Sequence, residues 1–114
     1  MTRRGTHILL IDDDPSVLEM VQSALAHYGM EVHGYPDAAQ ALELLQNPKA
    51  PPFDLVISDI NMEGMDGFEV VHKVKASHPH LPVVLMTAHG SESLAMEALA
   101  QGADRLVKMT TNPD

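Results

Sequence analysis

The stretch ILLIDDDPSV (Ile8–Val17) sets four apolar residues directly against three aspartates and a proline. A short, continuous, branched apolar run reads as a strand buried on both faces. Pro15 suits the first turn of a helix, with Asp14 as its N-cap. Like charges this close repel, and each must stay hydrated or meet a cation. On its own, a pair such as Asp12 and Asp13 reads as a solvated turn. The rest of the chain changes that reading.

Working outward, apolar runs alternate with segments of helical period. HILLI (7–11) is the first strand. Val17, Met20, Val21, Ala24 and Tyr28 fall at helical spacing, and Gly29 is the expected stop. EVHGY (31–35) reads as a weaker strand. Asp37 with Gln40 has the form of a capping box opening a helix through about Gln46. NPKAPPF (47–53) is a proline-rich loop, and DLVIS (54–58) is a second strong strand. DINMEGMDG (59–67) is a loop, followed by a helix capped by Asp66 and Glu69. VVLMT (83–87) is a third strong strand, AHGSES a loop, LAMEALAQ (94–101) a short helix stopped by Gly102, and DRLVK (104–108) a fifth strand.

Strands that alternate with helices imply a parallel sheet covered on both faces with right-handed crossovers, an α/β fold. Ligands of such sheets bind beyond the carboxyl ends of the strands. Asp12 and Asp13, Asp59, Thr87 and Lys108 stand at those ends. Side by side, the strands bring all five to one edge. Carboxylates sharing a small cleft make a hard, all-oxygen site suited to hydrated Mg²⁺.

The totals bound the answer. The chain has 114 residues, the size of one domain, and a formal net charge of −9, which argues against nucleic acid as a direct partner. It has no cysteine, hence no disulfide or thiol chemistry. No apolar run is long enough to span a membrane, and MTRRGTH is no signal peptide; a cytoplasmic protein is expected. The seven histidines read as scattered, with HPHLP (78–82) an exposed loop rather than a metal site. Gly64 and Gly67 read as turn residues, and the eight methionines as core filler.

The set IDDD, VISDINMEGMDG, LMTAHG and GADRLVK, in this order at these strand ends, resembles the receiver domain of two-component response regulators over about Thr6 to Lys108. The resemblance implies a CheY-like, flavodoxin-like, doubly wound five-stranded parallel sheet of order 2-1-3-4-5. The chain is then a single receiver domain (1–114) with its core at about 6–108 and a short tail at 109–114. Asp59 would be the phosphoacceptor, taking a phosphoryl group from a sensor histidine kinase or phosphotransfer protein. Asp12, Asp13 and Asp59 would hold Mg²⁺, with the Asn61 backbone carbonyl a further ligand. Thr87 would move to bind the phosphoryl oxygen, and Lys108 would pair with Asp59 or its phosphate. Position 89, a histidine here, and Asn61 would tune the lifetime of the phosphate. The signal would pass to a downstream output protein or domain. Such a chain is a signalling phosphoacceptor that assists its own phosphorylation and dephosphorylation, rather than an enzyme.

Several positions depart from the family's common pattern. Glu63 stands where proline is usual, and GADRLVK is one residue short. The last strand offers Arg105, Leu106 and Val107 instead of an aromatic switch residue, and Met109 follows Lys108 where proline is usual. MTTNPD (109–114) cannot form the usual fifth helix, so a bare apolar flank is expected, with two explanations open: the chain is cut from a longer one, or self-association covers the flank. Two other readings stay open: a degenerate receiver that binds partners without phosphorylation, and an aspartyl-phosphate phosphatase of the haloacid-dehalogenase type. The second needs an acid two residues beyond the nucleophile, where this chain has Asn61.

Overall fold

The computed structural model describes residues 5–88 and 90–109. Nine elements alternate along the chain: β1 (His7–Ile11), α1 (Pro15–His27), β2 (Glu31–Tyr35), α2 (Ala38–Gln46), β3 (Leu55–Asp59), α3 (Gly67–Ser77), β4 (Val83–Thr87), α4 (Glu92–Ala100) and β5 (Arg105–Lys108). All four strand pairings are parallel, and the order is β2-β1-β3-β4-β5.

Local chemistry places the boundaries. Asp14 is extended, and its carboxylate accepts the Ser16 N–H at 2.9 Å, opening α1 with Pro15 in its first turn. Asp37, Asp66 and Ser91 cap α2, α3 and α4 in the same way. Each such cap is worth about 1 kcal/mol. Gly29, at φ 83°, ends α1 in the left-handed region that L side chains avoid. Several boundaries shift by a residue or two from the sequence expectation. β3 moves one residue along, to Leu55–Asp59, so that Asp59 lies inside the strand; β5 starts one residue later, at Arg105; and α4 begins at Glu92, two residues before the apolar pattern starts, and ends at Ala100. Ser91 is the reason for the early start of α4, since its hydroxyl accepts the Leu94 N–H at 3.1 Å.

The central strands are buried on both faces, as their unbroken apolar sequence requires: Leu9, Leu10, Ile11, Val56 and Leu85 have no exposed surface. The larger cluster joins Leu9, Ile11, Val56, Val83 and Leu85 to Ala41 and Leu45 of α2, Val70, Val71 and Val74 of α3, and Ala98 of α4. On the other face Leu10 and Met86 meet Leu18, Val17 and Val21 of α1. The apolar positions of α1 are therefore used unevenly: Leu18 is buried, while Met20 and Tyr28 are exposed. Among the described residues α1 alone covers this face. Ile57 and Val84 stay half-buried there, and Val107 of β5 is exposed. The tail segment 110–114 lies outside the described residues.

A hydrogen-bonded corner fixes β5. The Asp104 carboxylate accepts the Val83 N–H and the Lys75 ammonium, each at 2.8 Å, and Lys75 also donates to the Leu81 carbonyl. The register that follows sets Thr87 opposite Lys108.

Candidate functional site

Strands β1, β3, β4 and β5 end at one edge of the sheet. The register aligns Ile11 with Ser58, Asp59 with Met86 and Thr87 with Lys108. Asp12, Asp13 and Asp59 each offer a carboxylate oxygen there, and these oxygens lie within 4.8 Å of one another.

The three acids differ in surroundings. Asp12 follows β1 and is only 3% exposed; its carboxylate accepts the Asp14 N–H at 2.9 Å. Burial pushes its pKa up to about 6. The Asp14 N–H opposes that rise, and repulsion from Asp59, Asp13 and Asp14 adds to it. Asp59 is half-buried at the end of β3 and is also raised, first by burial; the backbone N–H groups of Asn61 and Ile60 pull it down, and Asp13 and Asp14 push it up. Asp13 is exposed, and its carboxylate accepts the Glu63 N–H at 3.2 Å. Two raised, repelling carboxylates held together by the fold are the arrangement a divalent cation relieves, and three oxygen donors in reach of one point fit Mg²⁺.

The loop after Asp59 is held by a close approach. Gly67 opens α3, donates its N–H to the Ile60 carbonyl at 2.9 Å, and packs so tightly that a Cβ there would lie 2.6 Å from the Asp59 carbonyl oxygen and 2.8 Å from the Ile60 Cα. Gly67 is thus a contact glycine rather than the turn residue expected from sequence, whereas Gly64, at φ 81°, is a turn residue.

Thr87 ends β4, is 2% exposed, and its carbonyl accepts the Met109 N–H at 2.7 Å. Gly90 passes over the Thr87–Lys108 pair: a Cβ on it would lie 3.5 Å from both the Lys108 Cβ and the Thr87 Cγ2. Lys108 is exposed. Among the described residues Lys75 forms an ion pair with Asp104, and the His7 and His33 rings each lie within 3.3 Å of the Glu31 carboxylate; Lys108 and Asp59 form no ion pair. Asn61 is exposed in the loop after β3. The expected role of His89 lies outside the described residues. A groove of about 740 Å³ between the α2–β3 and α3–β4 loops contains none of these residues.

Sequence reading missed one cluster. His7, Glu31 and His33 converge at the opposite end of the sheet, so the histidines are not all scattered. The signal was weak, since Glu31 and His33 are a common i, i+2 pair and His7 joins them only through the register His7↔Glu31.

Known proteins resemble the chain along nearly its whole length. The sequence model of the response regulator receiver domain family matches residues 8–114. The response regulator protein FleR of Pseudomonas aeruginosa is 43% identical over 102 residues, covering 89% of this chain and 21% of FleR. The DNA-binding transcriptional regulator NtrC of Escherichia coli is 40% identical over 96 residues, covering 84% of this chain and 20% of NtrC. The chain spans about a fifth of the length of these relatives. A high-resolution structure of the chemotaxis response regulator CheY4 of Vibrio cholerae superposes with a TM-score of 0.85 at 32% identity, covering 96% of this chain and 91% of that one. The strand order, the acidic edge and these matches agree: the chain belongs to the response regulator receiver domain family.

Proposed function

We propose that the chain is a phosphoacceptor switch in which Asp59 takes a phosphoryl group from a histidine kinase or phosphotransfer protein. The observation that carries this reading is the convergence of the Asp12, Asp13 and Asp59 carboxylates at the carboxyl edge, beside Thr87 and Lys108. An Asp59 carboxylate oxygen attacks phosphorus, the bond from phosphorus to the donor imidazole nitrogen breaks, and an acyl phosphate forms on Asp59. Mg²⁺, held by Asp12, Asp13, Asp59 and the Asn61 carbonyl, would supply the charge neutralisation that lets an anion attack an anion. Lys108 reaches the new phosphate as a countercharge. The Thr87 hydroxyl binds a phosphoryl oxygen only once the phosphate exists, and so biases a two-state equilibrium. Inverting a 1:99 population needs about 5.5 kcal/mol of such differential binding.

The single receiver domain hands its state to an output protein or domain by protein contact, in the cytoplasm. Among the described residues no helix is long and apolar enough to cross a membrane. The phosphatase reading lacks its proton-transfer group, because Asn61 stands where that acid is required. A second copy would bury the exposed Val107 and the half-buried Ile57 and Val84 on this flank; sedimentation as a monomer across concentration removes that part of the reading.

The test is intact mass after incubation with acetyl phosphate, with and without Mg²⁺, on the native chain and on Asp59→Asn. A Mg²⁺-dependent gain of one phosphoryl group, absent in the variant, is expected. No gain in a folded sample would replace the switch by a phosphorylation-independent binding module.

A further inference from the structure

A second cluster of metal-ligating groups lies at the amino ends of β1 and β2, away from the acidic edge. His7 stands opposite Glu31 in the parallel register, and His33 follows Glu31 on the same face of β2. Their donor atoms form a nearly regular triangle. His7 Nδ1 to Glu31 Oε2 is 3.2 Å, His33 Nε2 to the same oxygen is 3.3 Å, and His7 Nδ1 to His33 Nε2 is 3.4 Å.

Hydrogen bonding leaves this triangle incomplete. Each neutral imidazole nitrogen carries one hydrogen or one lone pair, so protons satisfy at most two of the three edges. A cation satisfies all three. Zn²⁺ bound tetrahedrally to imidazole nitrogen and carboxylate oxygen, at about 2.0–2.2 Å from each, needs donor–donor edges of about 3.3–3.6 Å. The observed edges lie within about 0.1 Å of the short end of that range, close to one face of the tetrahedron. Two nitrogens and one oxygen also suit a borderline transition ion and not Mg²⁺ or Ca²⁺, which take oxygen.

The surroundings hold the donors. His33 meets the Phe53 ring edge-on at 5.3 Å between centroids, and the His7 and His33 rings stack at 5.7 Å. The backbone N–H of His7 donates to the Asp54 carboxylate at 2.9 Å, which ties the start of β1 to the β3 side. The His7 and His33 side chains are 15% and 27% exposed, while Glu31 is 62% exposed and leaves a path for an ion from solvent.

We propose that His7, Glu31 and His33 form a binding site for a borderline transition-metal ion, Zn²⁺ first among them, with three protein donors and an open fourth position. The site clamps β1 to the edge strand β2 and is separate from the phosphoacceptor chemistry.

The test is a Co²⁺ titration of the full chain in excess Mg²⁺, read by visible absorption. Tetrahedral Co²⁺ absorbs far more strongly than the octahedral, all-oxygen Co²⁺ that the acidic edge would hold, so the two sites are distinguishable. One equivalent of strongly absorbing Co²⁺, displaced by one equivalent of Zn²⁺, is expected. Glu31→Gln and His33→Gln should each weaken binding at least about 100-fold, beyond the loss from a supporting residue. Glu31 is exposed, so its variant tests the site even if His33→Gln folds poorly. His78→Gln/His80→Gln should leave the titration unchanged. A native chain without the strong band, a Glu31→Gln chain that keeps it, or loss of the band in the His78/His80 variant would each overturn the proposal.

Discussion

The backbone N–H of Glu63 donates to the Asp13 carboxylate at 3.2 Å, joining the loop after β3 to the loop after β1 across fifty residues of sequence. Proline, usual at position 63 in the family, has no N–H and could not make this bond. In this chain the residue held beside the acidic edge by that bond is an acid instead of an uncharged proline.

Glu63→Gln keeps the N–H and removes that charge. A unit charge several ångströms away in water is worth about 0.5 kcal/mol, so Mg²⁺ affinity should fall about two-fold. The difference should shrink at high salt. Calorimetric Mg²⁺ titration at two ionic strengths checks both points. A loss that persists unchanged at high salt would show that the side chain acts through something other than its charge.

Asp12 binds its proton more tightly in the folded chain than in the unfolded one, with its pKa pushed up to about 6 from 3.8. Between those values the folded state holds more protons, so without Mg²⁺ stability falls as pH rises through this window. Two units amount to about 2–3 kcal/mol at neutral pH. Asp12→Asn should therefore raise the Tm of the metal-free chain at pH 7.5, flatten its decline above pH 4, and abolish the rise in Tm on adding Mg²⁺. Thermal unfolding in chelator and in Mg²⁺ at several pH values reads all three.

Gly67→Ala inserts a methyl group 2.6 Å from the Asp59 carbonyl oxygen, and the opposing atoms are backbone that cannot swing aside. A loss of about 1–3 kcal/mol in urea unfolding is expected. The displaced Asp59 should also accept phosphoryl from acetyl phosphate more slowly. Full stability in the alanine variant would mean that α3 can retreat without cost.

Asp104 is held below the usual carboxylate range, first by the Lys75 hydrogen bond and then by the Val83 N–H. Its contribution is fully present above the unfolded pKa near 3.8 and is lost as pH falls through the lower folded value. The pair is partly exposed, so Asp104→Asn should cost only about 0.5–1 kcal/mol at pH 7. That cost should vanish in strong acid. Urea midpoints at pH 7 and at steps from pH 4 down into strong acid measure the difference.

Strand and helix order, and the acids of the carboxyl edge, were legible because they depend on local pattern. ILLI (8–11), LVI (55–57) and VVLM (83–86) are continuous apolar runs, and Asp14, Asp37 and Asp66 cap the helices that follow them. The residue error at β3 arose because Asp59 is polar yet pairs with Met86 as strand. The late start assigned to α4 arose because Ser91 and Glu92 look like loop residues until the cap is seen.

By itself the sequence determined an alternating α/β chain whose strands end in Asp12, Asp13, Asp59, Thr87 and Lys108, because burial and capping act on neighbours a few residues apart. Tertiary structure alone decided the Glu63–Asp13 bond, the contact that excludes a side chain at Gly67, the Lys75–Asp104 corner behind the Lys108 register, and the meeting of His7 with Glu31 and His33. Each depends on a separation set by strand pairing or helix packing to within about 1 Å. Residue type and spacing along the chain carry no information at that precision, since the partners lie 24 to 50 residues apart or meet through backbone atoms.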